Sequence, residues 1–378
     1  MAETGGFLAD SAPSAIPHAA FSISPTNGRI VVLHSLAERT LHAMKRSVKA
    51  ETHPVQAMEA EALWYVAPGK AELRPAPVTA PSKGELLVKS LYSGLSRGTE
   101  RLVFEGRVPE SEWKRMRAPA QEGEFPFPVK YGYAAVGLVE AGPAALLQKT
   151  VFALYPHQSR FVIPAECAVV IPDKIPAQRA VLTANLETAL NVLWDGHAAP
   201  GDRIVIIGAG IVGLLVASLA AKLPGAEATV VDIDPARKKL VETMGAQFKE
   251  PSAAPHDADL VIHASATEKG LALAFDCAGT EATIVEASWH GAGACQLKLG
   301  GAFHSRRLKL ISSQVGEIAA YRKPRWNHRR RLEAAVRLLT DERLDALLGE
   351  EIPFETLPKE LPRLFAHGAA GVGALVRY

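Results

Sequence analysis

Apolar and polar residues alternate in two rhythms along the chain. From Ala60 to about Asp173, short β-rich runs are cut by Pro and Gly: Ala62–Val66, Glu85–Tyr92, Ala134–Glu140, Thr150–Leu154 and Arg160–Ile163. Such punctuation predicts a compact, mostly antiparallel, barrel-like region. A short helix is expected over Arg107–Arg117, before the Pro-rich stretch Phe125–Pro128. From Ala177 the period lengthens. Leu182, Leu186, Leu190 and Leu193 recur at helical spacing and predict a helix over Ala177–Gly196. Strands and helices then alternate: strand Arg203–Ile207, helix Ile211–Leu223, strand Ala228–Val231, helix Pro235–Met244 closed by Gly245, and strand Leu260–Ala264. A helix over Thr280–Trp289 and a strand over Ala294–Leu299 continue the series. Alternation of this kind predicts an α/β fold, a doubly wound parallel sheet beside the β-rich region. The tail adds helices over Asn327–Leu339 and Pro358–Ala366 and a last strand, Ala374–Tyr378.

Bulk properties narrow the field. A chain of 378 residues has room for two or three domains, and with 48% apolar residues it can bury a sizeable core. A formal charge of +2 gives no electrostatic case for nucleic acid. The basic cluster Arg322, Lys323, Arg325 and Arg329–Arg331 reads as the solvated first turn of a helix. Cys167, Cys277 and Cys295 are far apart and lack the C-x-x-C spacing of a disulfide framework or a cysteine zinc site. A reducing, cytoplasmic setting is expected. No apolar run reaches the length of a transmembrane helix. Residues 1–57 differ from the rest. Met1–Pro25 is rich in Ala, Ser, Gly and Pro, without the basic start and apolar core of a secretory signal. A loose N-terminal extension is expected there, with the ordered pattern opening at Met58.

The most specific chemistry lies in Gly208-Ala209-Gly210-Ile211-Val212-Gly213, between a strand and a helix. Gly208 permits the tight turn, Gly210 lets backbone approach a pyrophosphate, and Gly213 lets helix pack closely on strand. The helix start offers N–H groups and a positive dipole to phosphate. Asp232 stands about 20 residues on, at the end of the second strand, where a carboxylate accepts ribose hydroxyls and repels a 2′-phosphate. This pattern points to NAD. Arg237 could cover the adenine, and with Lys238 it keeps NADP open.

Further motifs resemble the medium-chain dehydrogenase/reductase superfamily over roughly Glu59–Tyr378. They are Gly94-Leu95-Ser96-Arg97-Gly98-Thr99-Glu100, Gly132-Tyr133-Ala134-Ala135-Val136-Gly137, Glu187-Thr188-Ala189-Leu190, Gly201-Asp202-Arg203 and Val231-Asp232. The resemblance implies a GroES-like catalytic domain with a Rossmann domain inserted before its last segment. The corresponding division is 58–185 for the first part of the catalytic domain, 186–316 for the Rossmann domain and 317–378 for the return. It also implies a small-molecule substrate and a homodimer built through Rossmann edge strands. The positions that carry zinc ligands in the resembled family hold Ser96, Tyr133 and Ala184, and the four-cysteine structural lobe is missing. None of the three supplies a ready zinc donor, so no zinc is expected; Glu100 and His157 are the residues that could nucleate a displaced site. The Gly-x-Ser-x-Gly-Thr-Glu and Gly-Tyr motifs are similar to those of bacteriochlorophyllide a dehydrogenases, which oxidise a hydroxyethyl group on a chlorin ring.

Hydride transfer without a metal needs a hydroxyl or imidazole to manage charge on the substrate oxygen, or a substrate that is already activated. Ser96 and Tyr133 occupy former ligand positions. With Thr99 and His157 they are the catalytic candidates. Each also has a structural reading: Ser96 as a turn residue, Thr99 as a helix cap, Tyr133 as a plug and His157 as a structural histidine. Glu187 and Thr188 lie on a helix expected to face the cofactor cleft. Cys277 reads as core. Arg306 and Arg307 read as solvated loop residues, with a grip on an acidic substrate as the alternative. Three functions remain open: an alcohol/carbonyl oxidoreductase, a quinone or enone reductase, and a nucleotide-binding or redox-sensing protein without turnover.

Overall fold

A computed structural model of the chain describes residues 58–378; the expected N-terminal extension, 1–57, lies outside the described residues. Two sheets form the β-rich region, antiparallel throughout except where Glu350–Pro353 pairs in parallel with Ala374–Arg377. Glu61–Ala67 and Lys70–Pro75 make a hairpin whose turn places Gly69 at φ +70°, and the short strands Val129–Lys130 and Glu122–Gly123 extend that sheet. The larger sheet runs in the order Glu350–Pro353, Ala374–Arg377, Glu85–Gly94, Ala135–Ala141, Thr150–Ala153, Ala168–Val170. Arg160–Pro164 pairs the first half of Glu85–Gly94. Leu86 and Val88 share one face of this long strand and form a small core with Phe161, Ile163 and Tyr155, whose ring stacks on Phe161 at 4.0 Å, while Leu87 between them packs on the other face with Ala60 and Val78.

The second region is a six-stranded parallel sheet. In chain order its strands are β1 (Arg203–Ile207), β2 (Glu227–Val231), β3 (Gln247–Lys249), β4 (Ala258–His263), β5 (Ala278–Glu286) and β6 (Lys309–Ser312). They lie side by side as β3-β2-β1-β4-β5-β6. The order reverses between β1 and β4, which opens a crevice at the carboxyl ends of those two strands. Ile204 and Ile206 face the helices Thr183–Asp195 and Ile211–Ala220, and Val205 and Ile207 face Glu268–Cys277, so both sides of the sheet are covered. The fold is a GroES-like β domain joined to a Rossmann α/β domain, with the final strand back in the larger sheet of the β domain.

Three expected elements differ. Thr280–Trp289 is not a helix: Ala278–Glu286 is strand β5, and the helix lies earlier, at Glu268–Cys277, where the Thr267 hydroxyl caps it by accepting from Gly270 N–H at 3.1 Å. The β-branched run Thr283-Ile284-Val285 pairs instead with Leu260–Ile262. Ala294–Leu299 forms no strand; the sixth strand is Lys309–Ser312. Arg107–Arg117 contains only the single turn Glu110–Glu112. The basic cluster also needs correction at one position. Arg331 is fully buried. Its Nε donates to Glu187 Oε1 at 2.9 Å and its Nη1 to Asn191 Oδ1 and the Glu317 carbonyl. That fork ties the helix His328–Leu338 to Thr183–Asp195, and Glu187 therefore serves this internal pair rather than the cleft.

Candidate functional site

The glycine turn sits at the carboxyl end of β1. Gly208 has φ +111°, a conformation L side chains resist, and a Cβ there would stand 2.9 Å from Ser265 N. A Cβ on Gly213 would collide with the Gly208 carbonyl oxygen. At Gly210 a Cβ would meet nothing within 4 Å, so the turn leaves open room above the start of the helix Ile211–Ala220. No side chain caps that start, which leaves its first N–H groups facing the crevice. Asp232 belongs to the turn as well: its Oδ2 accepts from Ala209 N–H at 2.6 Å and its Oδ1 from Asp234 N–H at 2.9 Å. Each oxygen keeps a further lone pair for a ribose hydroxyl. Ile211 and Val212 pack half-buried on the main core. Arg237 reaches Asp234 at 3.2 Å. The Thr188 hydroxyl donates back to the Ala184 carbonyl at 3.0 Å within its helix. These residues fit a dinucleotide: a constrained turn, open space, uncapped N–H groups and a carboxylate lie at the switch point of the sheet.

The Ser96 segment meets this crevice from the other side. Leu95 N–H donates to the Ala374 carbonyl at 3.1 Å and Gly94 N–H to the Ala134 carbonyl at 2.9 Å, which fixes the end of the strand Glu85–Gly94. Gly94, Leu95, Val181, Asn185 and Ile211 line one small cavity, so the glycine helix and the Ser96 segment share a wall. Just beyond, Ser96, Thr99 and Tyr133 come together. Burial and the nearby Glu100 charge push the Tyr133 phenol up to about 12, while the Ser96 and Thr99 hydroxyls beside it pull the other way by hydrogen bonding. Tyr133 touches both large cores and stands at their junction.

His157 is placed one layer deeper. Its Nε2 lies 2.8 Å from Glu100 Oε2 and its Nδ1 2.7 Å from Ser93 Oγ, so both ring nitrogens are engaged. Gly132, at φ +131°, makes the room: a Cβ there would stand 2.9 Å from the His157 ring. Glu100 is the hub. It is 0% exposed; Oε1 accepts from Ser96 N–H at 2.8 Å, and Oε2 also accepts from the Tyr65 hydroxyl at 2.9 Å. Ser93 Oγ continues to the Tyr378 hydroxyl at 2.9 Å. A buried polar chain thus runs Tyr65–Glu100–His157–Ser93–Tyr378 beneath Ser96. Sequence reasoning singled out His157 and Glu100, but not Tyr65, Ser93 or Tyr378.

The zinc positions of the resembled family fit no metal in this chain. Ser96 and Tyr133 are neutral hydroxyls engaged with each other's surroundings, and Ala184 is a buried methyl group without a donor. Cys277 is buried in the core, its thiol pushed up to about 11 by burial and by Asp276. Arg306 donates to the Ala278 carbonyl at 2.9 Å and Arg307 pairs with Glu281 at 2.8 Å; both serve the β5 turn.

Solved structures share this architecture. L-idonate 5-dehydrogenase from Escherichia coli matches with a TM-score of 0.71 at 15% identity, over 85% of this chain and 99% of that one. A protein described as a zinc-binding dehydrogenase, from Sinorhizobium meliloti 1021 and bound to NADP, matches with a TM-score of 0.68 at 18% identity, over 85% of this chain and 100% of that one. The chain shares the fold of these dehydrogenases. Within that fold, residues 187–286 match the family model described as Alanine dehydrogenase/PNT, C-terminal domain, which covers the glycine turn, Asp232 and the sheet as far as β5. Among curated proteins, D-xylulose reductase A from Aspergillus oryzae is 26% identical over 151 residues, 38% of this chain and 42% of that protein. The chain therefore spans about two-fifths of the length of the curated relatives it matches. Among the described residues, no helix is long and apolar enough to cross a membrane.

Proposed function

We propose that the protein is a zinc-independent, NAD(P)(H)-dependent oxidoreductase that moves a hydride between nicotinamide and an alcohol/carbonyl carbon, with NAD(H) favoured. The observation that carries this reading is the replacement of a metal shell by a hydroxyl cluster. Tyr133, flanked by Ser96 and Thr99, stands where the dinucleotide crevice meets the β domain. A nicotinamide held in this crevice would supply the hydride or take it up. Gly208, Gly210 and Gly213 shape the turn, the N–H groups ahead of Ile211 and Val212 hold the pyrophosphate, and Asp232 receives the adenosine ribose. Arg237 would cover the adenine and Thr188 would approach the nicotinamide. The printed ligand of the Sinorhizobium meliloti structure, NADP, and the reductase activity named for the Aspergillus protein support a nicotinamide reading for this chain.

The residues of the chain define how charge on the substrate oxygen is met. With its pKa pushed up to about 12, Tyr133 stays protonated throughout the neutral range and acts as a hydrogen-bond donor. A donor aimed at a carbonyl oxygen stabilises the negative charge that builds as hydride arrives at carbon. The same donor serves the reaction in either direction, and a quinone or enone oxygen would accept the same hydrogen bond. Glu100 holds the Ser96 backbone, and His157 holds Glu100, so both are positioning residues. The substrate is a small molecule with a carbonyl or hydroxyl group; the motifs shared with bacteriochlorophyllide a dehydrogenases point to a ring-borne hydroxyethyl or acetyl group as the first to try.

The test is calorimetric titration of NADH and NADPH into metal-analysed protein, followed by a carbonyl and quinone panel with Tyr133→Phe alongside. Micromolar NADH binding, about −8 kcal/mol, with turnover in metal-free protein and its loss in Tyr133→Phe, is the expected result. Binding without turnover across the panel would favour the redox-sensing reading, and absence of binding would remove the oxidoreductase reading.

A further inference from the structure

A second cluster lies on the Rossmann side, away from Ser96 and Tyr133 in sequence and built on different strands. His263 ends β4 and Glu286 ends β5, and the two are direct neighbours in the parallel register. His263 Nδ1 stands 2.7 Å from Glu286 Oε2. His290, four residues beyond Glu286, brings its Nε2 to 3.3 Å from the same oxygen, its ring roughly parallel to that of His263. One carboxylate oxygen is thus faced by two imidazole nitrogens, and the three candidate donor atoms all lie within 4.8 Å of one another. Among the described residues, this is the one group of three such side chains that meets.

The outer contacts hold the three in place. His263 Nε2 lies 2.7 Å from Ser265 Oγ, which lies 2.9 Å from Thr267 Oγ1. If His263 Nε2 carries the proton and donates along that hydroxyl pair, its Nδ1 lone pair is turned toward Glu286. A proton on Nδ1, or a cation in its place, joins that lone pair to the carboxylate. The far nitrogen of His290, Nδ1, has its own partner in Cys295 Sγ at 3.4 Å, and Glu286 Oε1 accepts from Ser288 N–H at 2.8 Å. An imidazole anchored through one nitrogen so that the other is presented to a common centre is the outer arrangement of metal-binding histidines.

We propose that His263, Glu286 and His290 bind a divalent first-row transition ion, with Zn²⁺ as the type. Two imidazoles and one carboxylate form a ligand set suited to such ions, with a remaining position for water. Donors at about 2.1 Å from a tetrahedral centre stand about 3.4 Å apart. The His290–Glu286 separation of 3.3 Å already matches that edge, and the 2.7 Å His263–Glu286 pair opens when the ion replaces the shared proton. His263 is fully buried, whereas Glu286 and His290 remain partly exposed, so an ion can enter from solvent. His290 belongs to a segment without regular structure that crosses to the β domain: Ala292 N–H donates to the Arg107 carbonyl at 3.3 Å, and Gly291 packs against Leu102. The bound ion would fasten this crossing to the Rossmann sheet. It would act on how the two domains are held, beside the glycine turn that Ser265 touches. Metal binding at this site can be tested without turnover.

The experiment is a Zn²⁺ titration of the chelator-treated full chain in competition with a chromophoric chelator, paired with Co²⁺ titration read by visible absorption. One equivalent of Zn²⁺ per chain and a Co²⁺ spectrum of low coordination number are expected. His290→Ala and Glu286→Gln should each weaken binding by about 100-fold or more. Cys167→Ser, at an exposed thiol elsewhere, should leave it unchanged. Circular dichroism checks that the variants fold, and His290→Gln replaces His290→Ala if the latter does not. No stoichiometric binding by the unmodified chain would overturn the proposal and leave a hydrogen-bonded clasp. Binding that survives both ligand substitutions, or that is lost in Cys167→Ser, would overturn it equally.

Discussion

At the scale of single residues, the site divides into groups that meet ligands and groups that hold those groups still. Asp232 does both, because its oxygens pin the Ala209 and Asp234 N–H groups while facing the crevice. Asp232→Ala is expected to weaken NADH binding by about 10- to 100-fold, the size of one or two lost charge-assisted hydrogen bonds. It should weaken NADPH binding less, since the repulsion of the 2′-phosphate goes with it; parallel titrations of both nucleotides measure the difference. Tyr133→Phe removes one hydroxyl and should lower kcat for carbonyl reduction by about 100-fold with NADH affinity unchanged. The phenol deprotonates only near 12, so its donor role is fully present at neutral pH and is lost only as pH rises toward that value. A kcat profile flat between about pH 6 and 9 is therefore expected as far as Tyr133 is concerned. A sharp break in that window would assign the proton to another group.

At the scale of elements, what could be read in advance depended on how local the cause was. The glycine turn was legible because strand, turn, helix and acid follow one another within 30 residues, each with its own backbone requirement. Strand Arg203–Ile207 and helix Ile211–Ala220 were legible for the same reason. The β5 region was not. Ala278–Glu286 carries apolar residues at spacings that suit a helix as well as a strand, and its pairing with β4 and β6 decides the matter. Glu100 and His157 are 57 positions apart, and Ser93 and Tyr378 are 285 apart, so no local pattern could join them. Arg331 illustrates the limit of charge patterning: three arginines in a row look solvated, yet helix phase turns one of them inward to Glu187. Arg331→Met should cost about 3–5 kcal/mol, because Glu187 is left buried and unpaired. Thermal or denaturant unfolding reads this directly, and adding Glu187→Gln should recover part of the loss.

At the scale of the whole molecule, two sheets of opposite character share one crevice, and the resemblance implies that two copies of the chain join through Rossmann edges. Strand β6 is such an edge, paired only to β5. A dimer is expected by light scattering at micromolar concentration; a monomer there would remove that expectation. The fold also places its largest β sheet in an unusual position with respect to time. Strand Glu85–Gly94, which leads into Ser96, finds a neighbour in Ala374–Arg377 only after the whole Rossmann domain has been synthesised between them. The parallel sheet, whose strands meet across short connections, can form while the chain is still growing. Glu85–Gly94 pairs early with Ala135–Ala141 and Arg160–Pro164, but its pairing with Ala374–Arg377 must wait and close across a long loop, which makes that last step the slow event. Leu95 is anchored by the Ala374 carbonyl and Ser93 by the Tyr378 hydroxyl. Refolding of the denatured chain should therefore regain nucleotide binding before it regains catalysis, with turnover appearing as the last kinetic phase.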